Sequence, residues 1–259
     1  MNKKVTIIVT TWLYENKPYL DACIDSILNL DYPQELLDVI IVGRKSYQPS
    51  YFGAQTVVKD SDDFGNSEGM NFGASFADKD TDFFLFLNDD TILTKDSVTN
   101  LVRAAQDAEI ILGPISPCDT GLHHVLFFGF HDENDKLVNF TGKNQTRIEQ
   151  NYVQPMMNAK SVYPNGLILV PHLFFYAVLI PKKVWDKVGK FAEEFKTGPD
   201  DIDYSYRARK LGIPLAVCLD SLIWHFSGIT SERTLTPQMR EENAKKWKEK
   251  WGFDQGTGV

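Results

Sequence analysis

Cysteine is scarce in this 259-residue chain. Cys23, Cys118 and Cys218 form an odd set without paired spacing, so neither a disulfide framework nor a zinc knuckle is supported. Long apolar runs are missing too. The first strand-like stretch, Val5 to Val9, is far too short to span a bilayer, and no small-residue cleavage site follows it. Basic surface is also lacking: the net charge is −8, and without a basic stripe to neutralise phosphates a nucleic-acid-binding role is excluded. The one concentrated basic stretch, Lys245 to Lys250, has Glu241 and Glu242 as neighbours and reads as a solvated helix face. Glycine is absent from Thr10 to Lys17, which holds a single lysine, so the glycine-rich basic phosphate loop of a nucleotidyltransferase is not there. These absences leave a protein working in a reducing compartment, expected to be cytoplasmic.

What is present is a core. Hydrophobic residues make up 43% of the chain, enough for one large α/β domain. Short apolar strands are expected at Val5–Thr10, Asp38–Val42, Val57–Val58 and Phe83–Leu87. Helical spacing covers Tyr19–Leu30, and the small-residue-rich segment Ser67–Ala77 reads as a helix. Strands without alternation, separated by helices, indicate a mainly parallel sheet covered on both faces. Ligands then bind at the carboxyl ends of the strands, where Thr10-Thr11, Gly43 and Asn88 to Thr91 would lie. Pro114, Pro117 and Gly121 break the pattern, and His123 to Tyr163 reads as loops or short hairpins. His123, His124 and His131 have no spacing that fits a metal site. Further on, helices are expected at Lys182–Val188 and Asp201–Leu211, strands at Leu215–Leu219 and Leu222–Ile223, and a charged amphipathic helix at Pro237–Trp251. The organisation expected is one domain over 1–235, with a nucleotide-binding half (1–110) and an acceptor-binding half (111–235), and a helix and tail at 236–259.

Two acidic clusters carry the chemistry. Asn88-Asp89-Asp90-Thr91 follows a run of five bulky apolar residues, so its carboxylates emerge at the sheet edge. They fit an Asx-type turn before the next helix, or a hard cation that takes one or two carboxylates besides a phosphate. Asp200, Asp201 and Asp203 crowd the start of a helix, where the macrodipole favours negative charge. Three are more than a cap requires, and one of them has the chemistry to deprotonate a hydroxyl. His225, among Trp224 and Phe226, reads either as a packed core residue or as a neutral nitrogen ligand.

In this order the segments resemble a family 2 glycosyltransferase of the GT-A fold, closest to its rhamnosyltransferase-like branch. The resemblance runs from Val5 to about Gly252. Val5–Trp12 is similar to the first strand and its nucleotide-contacting turn, and Phe64-Gly65 through Gly73 to a glycine- and asparagine-rich segment. Phe84–Thr91 is similar to the strand ending in the DXD-type motif, Trp185–Phe195 with Asp200–Arg207 to the acidic motif, and Trp224-His225 to the late histidine. Lys246–Gly252 is similar to the closing Lys-Trp-Gly segment.

The resemblance implies a mixed, mainly parallel GT-A sheet and an inverting, metal-dependent transfer of a sugar to a hydroxyl. The donor would be a nucleoside diphosphate sugar, UDP- or dTDP-linked, and the acceptor a glycan, a lipid-linked sugar or a protein. Asp201 would be the base, Asp90 and His225 the ligands of a divalent cation (Mn²⁺ or Mg²⁺). Thr10, Thr11, Trp12, Asp63, Gly69, Asn71, Asn88 and Asp89 would face the donor, and Asp200 and Asp203 the acceptor. One departure matters: the aspartate usual after the second strand is missing from Val42-Gly43-Arg44-Lys45-Ser46, which leaves a non-catalytic nucleotide-sugar or glycan-binding module as the alternative. The tail helix, with Trp247 and Trp251 among lysines, suits either peripheral contact with the inner membrane face or packing on the domain.

Overall fold

The computed structural model describes residues 3–11, 17–116, 166–195, 197–226 and 236–254. Trp12, Cys118 and the three histidines between 123 and 131 lie outside the described residues. The N-terminal half alternates strand and helix: β1 (Val5–Thr10), α1 (Lys17–Leu28), β2 (Leu37–Gly43), β3 (Gln55–Val58), α2 (Asn66–Ala74), β4 (Phe83–Asn88), β5 (Thr91–Leu93) and α3 (Ser97–Ala105). There follow β6 (Ile111–Ile115), β7 (Leu167–Leu169), β8 (Ala177–Pro181), α4 (Lys182–Val188), α5 (Asp200–Lys210), β9 (Leu215–His225) and α6 (Pro237–Trp251).

The strands form one sheet in the order β3-β2-β1-β4-β8-β6-β9-β5, with β7 alongside β9. The block β3-β2-β1-β4 is parallel throughout. Beyond it, β8 runs antiparallel to both β4 and β6, while β6 and β9 are parallel. The central strands are apolar on both faces because helices cover both. Ile8, Val42 and Phe86 belong to one core cluster, whereas Ile7, Val9, Ile41 and Leu85 belong to the other. That is the period-two division a strand imposes. The second cluster takes the buried stripe of α1, made of Leu20, Cys23, Ile24 and Ile27.

Helix α2 lies tight on the parallel block. A Cβ on Gly73 would come within 2.7 Å of an Ile8 methyl and 2.8 Å of a Val42 methyl, so a larger residue would lift the helix off the sheet.

Two expectations are corrected. Pro114 does not break the pattern: it sits inside the buried strand β6. It is tolerated there because β6 meets β8 only at Leu112 opposite Leu179, and its ladder with β9 shifts register just after Pro114. The two strand fragments expected at 215–219 and 222–223 are one strand, β9, which absorbs that irregularity and runs on to His225.

Helix α6 packs on the domain. Trp247 is fully buried and clusters with Phe195 and Ala192, while Trp251 meets Tyr206 edge-on with centroids 4.6 Å apart. Packing on the domain is thus the use these tryptophans have. Gly252 ends the helix in a left-handed conformation (φ 79°) that a side chain would disfavour. No helix among the described residues is long and apolar enough to cross a membrane.

Candidate active site

Parallel register brings the carboxyl ends of β1 and β4 side by side, with Thr10 opposite Asn88. The chain then turns through Asp89 and Asp90 into the short strand β5, which pairs antiparallel with the end of β9. Thr91 lies opposite His225 in that ladder, and the Phe226 amide donates to the Asp90 carbonyl at 2.9 Å. The outcome is a contact across 135 residues of sequence: His225 Nε2 is 3.4 Å from Asp90 Oδ1.

The imidazole is held from several sides. Tyr176 stacks on it at 4.6 Å and 8°, and the Tyr176 hydroxyl is itself anchored on the Pro114 carbonyl at 3.0 Å. The backbone N–H of His225 donates to Ser116 Oγ at 3.2 Å. Asp89 and Asp90 are 2% and 4% exposed, and carboxylates that buried are costly unless positive charge or donors compensate. Beneath them, burial pushes the Cys23 thiol up to about 12, which keeps it protonated; its sulfur lies 3.5 Å from Thr91 Oγ1.

Helix α2 connects this cluster to the second one. From its first turn Asn66 accepts from Thr10 Oγ1 at 2.5 Å and faces Asn88 Oδ1 through its Nδ2 at 3.5 Å; Asn88 Nδ2 is in turn 3.5 Å from His225 Nε2. The neighbouring Ser67 donates to Asp200 Oδ2 at 2.5 Å. Asp200 and Asp201 open α5, where burial raises both carboxyls: Asp200 to about 6, and Asp201 well above the usual carboxylate range with the charge of Asp200 adding to it. The Ser67 hydroxyl opposes the rise at Asp200. Asp201 Oδ1 accepts from the Ile202 amide at 2.7 Å. Carboxyls raised by burial in this way bind a proton more tightly than free carboxylates, which suits a group that accepts one.

Not every residue expected at the site faces it. Asp203 is completely buried, with one oxygen 2.9 Å from Arg207 Nε and the other meeting Trp251 Nε1 at 3.1 Å and Lys250 Nζ at 2.9 Å. Instead of facing an acceptor, it fastens α6 to α5. The Asn71 amide donates to the Phe191 carbonyl (3.0 Å) and Glu193 Oε1 (2.8 Å) and accepts from the Phe191 amide (3.0 Å), so it ties α2 to the 191–193 segment. Gly69 makes room for Phe64 and Thr10, since a Cβ there would lie 2.9 Å from the Phe64 ring. Gly198 is closely approached by Asn243 of α6, which donates to the Thr197 carbonyl at 2.7 Å. Asp63 is exposed on the loop before α2.

Asn66, Ser67 and Tyr176 were missed by sequence reasoning. The only signal for the first two was their place at the start of a glycine-rich helix after a strand; Tyr176 carried none.

Arg44, in the segment that lacks the family's usual aspartate, is 3% exposed. It donates from Nε to the Thr11 carbonyl at 3.3 Å, from Nη1 to the Asp62 carbonyl and from Nη2 to the Phe64 carbonyl at 3.2 Å. Its guanidinium lies 4.0 Å over the Phe64 ring. The charges of Asp62, Asp63, Asp89 and Glu68 bear on it.

Asp90 and His225 present one carboxylate and one imidazole, a donor pair that suits a hard cation whose remaining ligands are water and phosphate oxygens. Among the described residues there is no group of three or more His, Cys, Asp or Glu placed to enclose a metal by themselves.

Known structures share this architecture. A mannosyltransferase, PcManGT from Pyrobaculum calidifontis, in complex with GDP-Man and Mn²⁺, superposes with a TM-score of 0.58 at 15% identity, over 95% of this chain and 62% of that one. S. aureus TarS 1-349 gives 0.56 at 15% identity, over 86% and 60%; in complex with UDP-GlcNAc it gives 0.58 at 13%, over 98% and 74%. GalNAc-T7 with UDP, GalNAc and Mn²⁺ gives 0.59 at 10% identity, over 86% and 44%. The chain thus spans about 60% of the length of the first two of these proteins. Among curated proteins, no sequence match is found. The family profile described as "Glycosyltransferase like family 2" matches residues 2–245, and the chain belongs to that family.

Proposed function

We propose that this protein is a metal-dependent, inverting glycosyltransferase that moves a sugar from a nucleoside diphosphate to a hydroxyl acceptor. The observation that carries the reading is the convergence of Asp90 with His225 at the sheet edge, joined through the first turn of α2 to the raised Asp200–Asp201 pair. Neighbours of the same fold bind UDP-GlcNAc or GDP-Man, which supports a nucleotide-sugar donor here. A UDP- or dTDP-linked sugar fits the rhamnosyltransferase-like resemblance, and a glycan or lipid-linked sugar is the acceptor class.

Roles then divide among the residues. Thr10, Thr11, Trp12, Asn88 and Asp89 face the donor, with Asp63 at the rim. Asp200 sits on the acceptor side. Asp201 accepts the proton of the acceptor hydroxyl as that oxygen bonds to the anomeric carbon; the bond to the diphosphate breaks and its electron pair leaves with the nucleotide. Asp90 and His225 would hold the cation, Mn²⁺ as in two of the neighbours or Mg²⁺, and when bound it neutralises charge gathering on the diphosphate. Asn71, Gly69 and Asp203 support this arrangement by packing and hydrogen bonding.

The test is a thermal-shift screen of nucleotide sugars with Mn²⁺, followed by a donor-hydrolysis assay. The proposal expects a strong rise in melting temperature with one donor class and slow turnover of that donor. Binding without turnover across acceptors would instead make the chain a nucleotide-sugar-binding module. No shift with any donor would refute both readings.

A further inference from the structure

The donor reading leaves Arg44 without a task, although it is the most heavily bonded buried cation described next to the site. An arginine is planar and carries five N–H donors in a fixed fork, so it can hold several acceptors at a set spacing. Here the acceptors are main-chain carbonyls from two separate loops. Thr11 belongs to the segment leaving β1, while Asp62 and Phe64 belong to the segment entering α2. Arg44 itself is fixed to Tyr47 by paired backbone bonds of 2.8 and 3.1 Å, so the fork projects from a rigid base. Phe64 closes the clamp: its ring lies under the guanidinium and against Gly69, where any side chain would collide with it.

A second observation points to a ligand between these loops. The Thr11 hydroxyl is fully buried and has no hydrogen-bond partner among the described residues. Buried hydroxyls are normally paired, so one without a partner beside a tightly held carbonyl has a hydrogen bond left to give a ligand. We propose that Arg44 is the positioning residue of the nucleotide-base pocket: it sets the spacing of the Thr11 and Asp62–Phe64 loops, and the base is recognised by main-chain groups and the Thr11 hydroxyl in place of an acidic side chain. The inference rests on the donor reading above.

The experiment measures Kd for UDP, dTDP and GDP with Mn²⁺ by calorimetry on wild-type protein, Arg44→Lys and Thr11→Val, with Mn²⁺–pyrophosphate as the probe that lacks a base. Lysine keeps the charge but cannot span three carbonyls. Arg44→Lys should therefore weaken the preferred nucleoside diphosphate about tenfold or more, the scale on which groups that orient a binding site act. Its affinity for pyrophosphate should stay within about twofold on the same basis. Thr11→Val removes only an unpartnered hydroxyl, so its melting temperature should hold while nucleoside diphosphate binding weakens severalfold; it decides the matter if Arg44→Lys does not fold. Equal binding of nucleoside diphosphates by wild type and both variants overturns the inference alone, and so does a parallel loss for pyrophosphate, which would mark a merely structural role. If wild-type protein binds none of the three nucleotides, the donor reading falls and takes this one with it.

Discussion

Replacing Asp201 with asparagine should slow transfer severely and stabilise the fold at the same time. Both carboxyls at the start of α5 are raised by burial, and at Asp201 the charge of Asp200 adds to it. A carboxyl whose pKa is higher in the folded protein than in the unfolded chain binds its proton more tightly when folded. Stability therefore falls as pH rises from the unfolded value through the folded one. For Asp200 that window runs from 3.8 to about 6; for Asp201 it extends higher. At about 1.4 kcal/mol per pH unit, the Asp200 displacement alone corresponds to roughly 3 kcal/mol. Both side chains keep some contact with solvent, which screens the effect, so about 1–2 kcal/mol is the working figure. Asparagine at 201 retains an oxygen for the Ile202 amide and removes the buried charge of Asp201 itself, for which the Asp200 figure sets the scale. At about 2–4 °C per kcal/mol for a chain of this size, the variant should melt roughly 2–8 °C above wild type at pH 8. At pH 5, where the pair is already partly protonated, the gain should shrink. Scanning fluorimetry at the two pH values, beside a transfer assay, measures both halves. Loss of a general base should lower turnover by about 10²–10⁴-fold. A melting point at pH 8 equal to or below that of wild type, or a gain independent of pH, would refute the electrostatic argument.

Asn71→Ala removes three hydrogen bonds to the 191–193 segment and should cost about 2–4 kcal/mol in chemical denaturation, leaving donor affinity within about twofold. A tenfold loss of donor affinity without destabilisation would place Asn71 on the donor after all. Trp247→Ala should cost about 3–5 kcal/mol, since the indole is wholly buried between α6 and Phe195; a loss below about 1 kcal/mol would mean that α6 contributes little to the domain. Asp90→Asn should lower kcat/KM by about 10²-fold or more and raise the Mn²⁺ concentration needed for half-maximal activity. Unchanged Mn²⁺ dependence in that variant would move the cation elsewhere.

Much of the fold was legible because its signals are local. Phe83 to Leu87 is too apolar for anything but a strand covered on both faces, and Gly189 and Gly212 each follow the end of a helix whose extent the sequence shows. The strand through Pro114 was illegible because tolerance of a proline depends on which neighbour would have accepted its missing N–H. That neighbour, β8, lies about 65 residues away and has already left the ladder.

The residue chemistry of the site was equally readable: acidic residues after a buried strand, acidic residues opening a helix, a histidine ending another strand. Which of them meet was not. Asp200 and Asp203 look alike in sequence, yet one helical turn separates a carboxyl bonded to Ser67 at the site from one locked between Arg207, Lys250 and Trp251. Helical geometry aims them at different neighbours, and those neighbours come from α2 and α6, far along the chain in opposite directions. The acidic clusters, the apolar strands and the family were thus decided by the amino-acid order, because composition and spacing act over a few residues. The contact of Asp90 with His225, the supporting role of Asp203 and the clamp made by Arg44 were decided by tertiary structure, because only the packed sheet brings those partners within hydrogen-bonding reach.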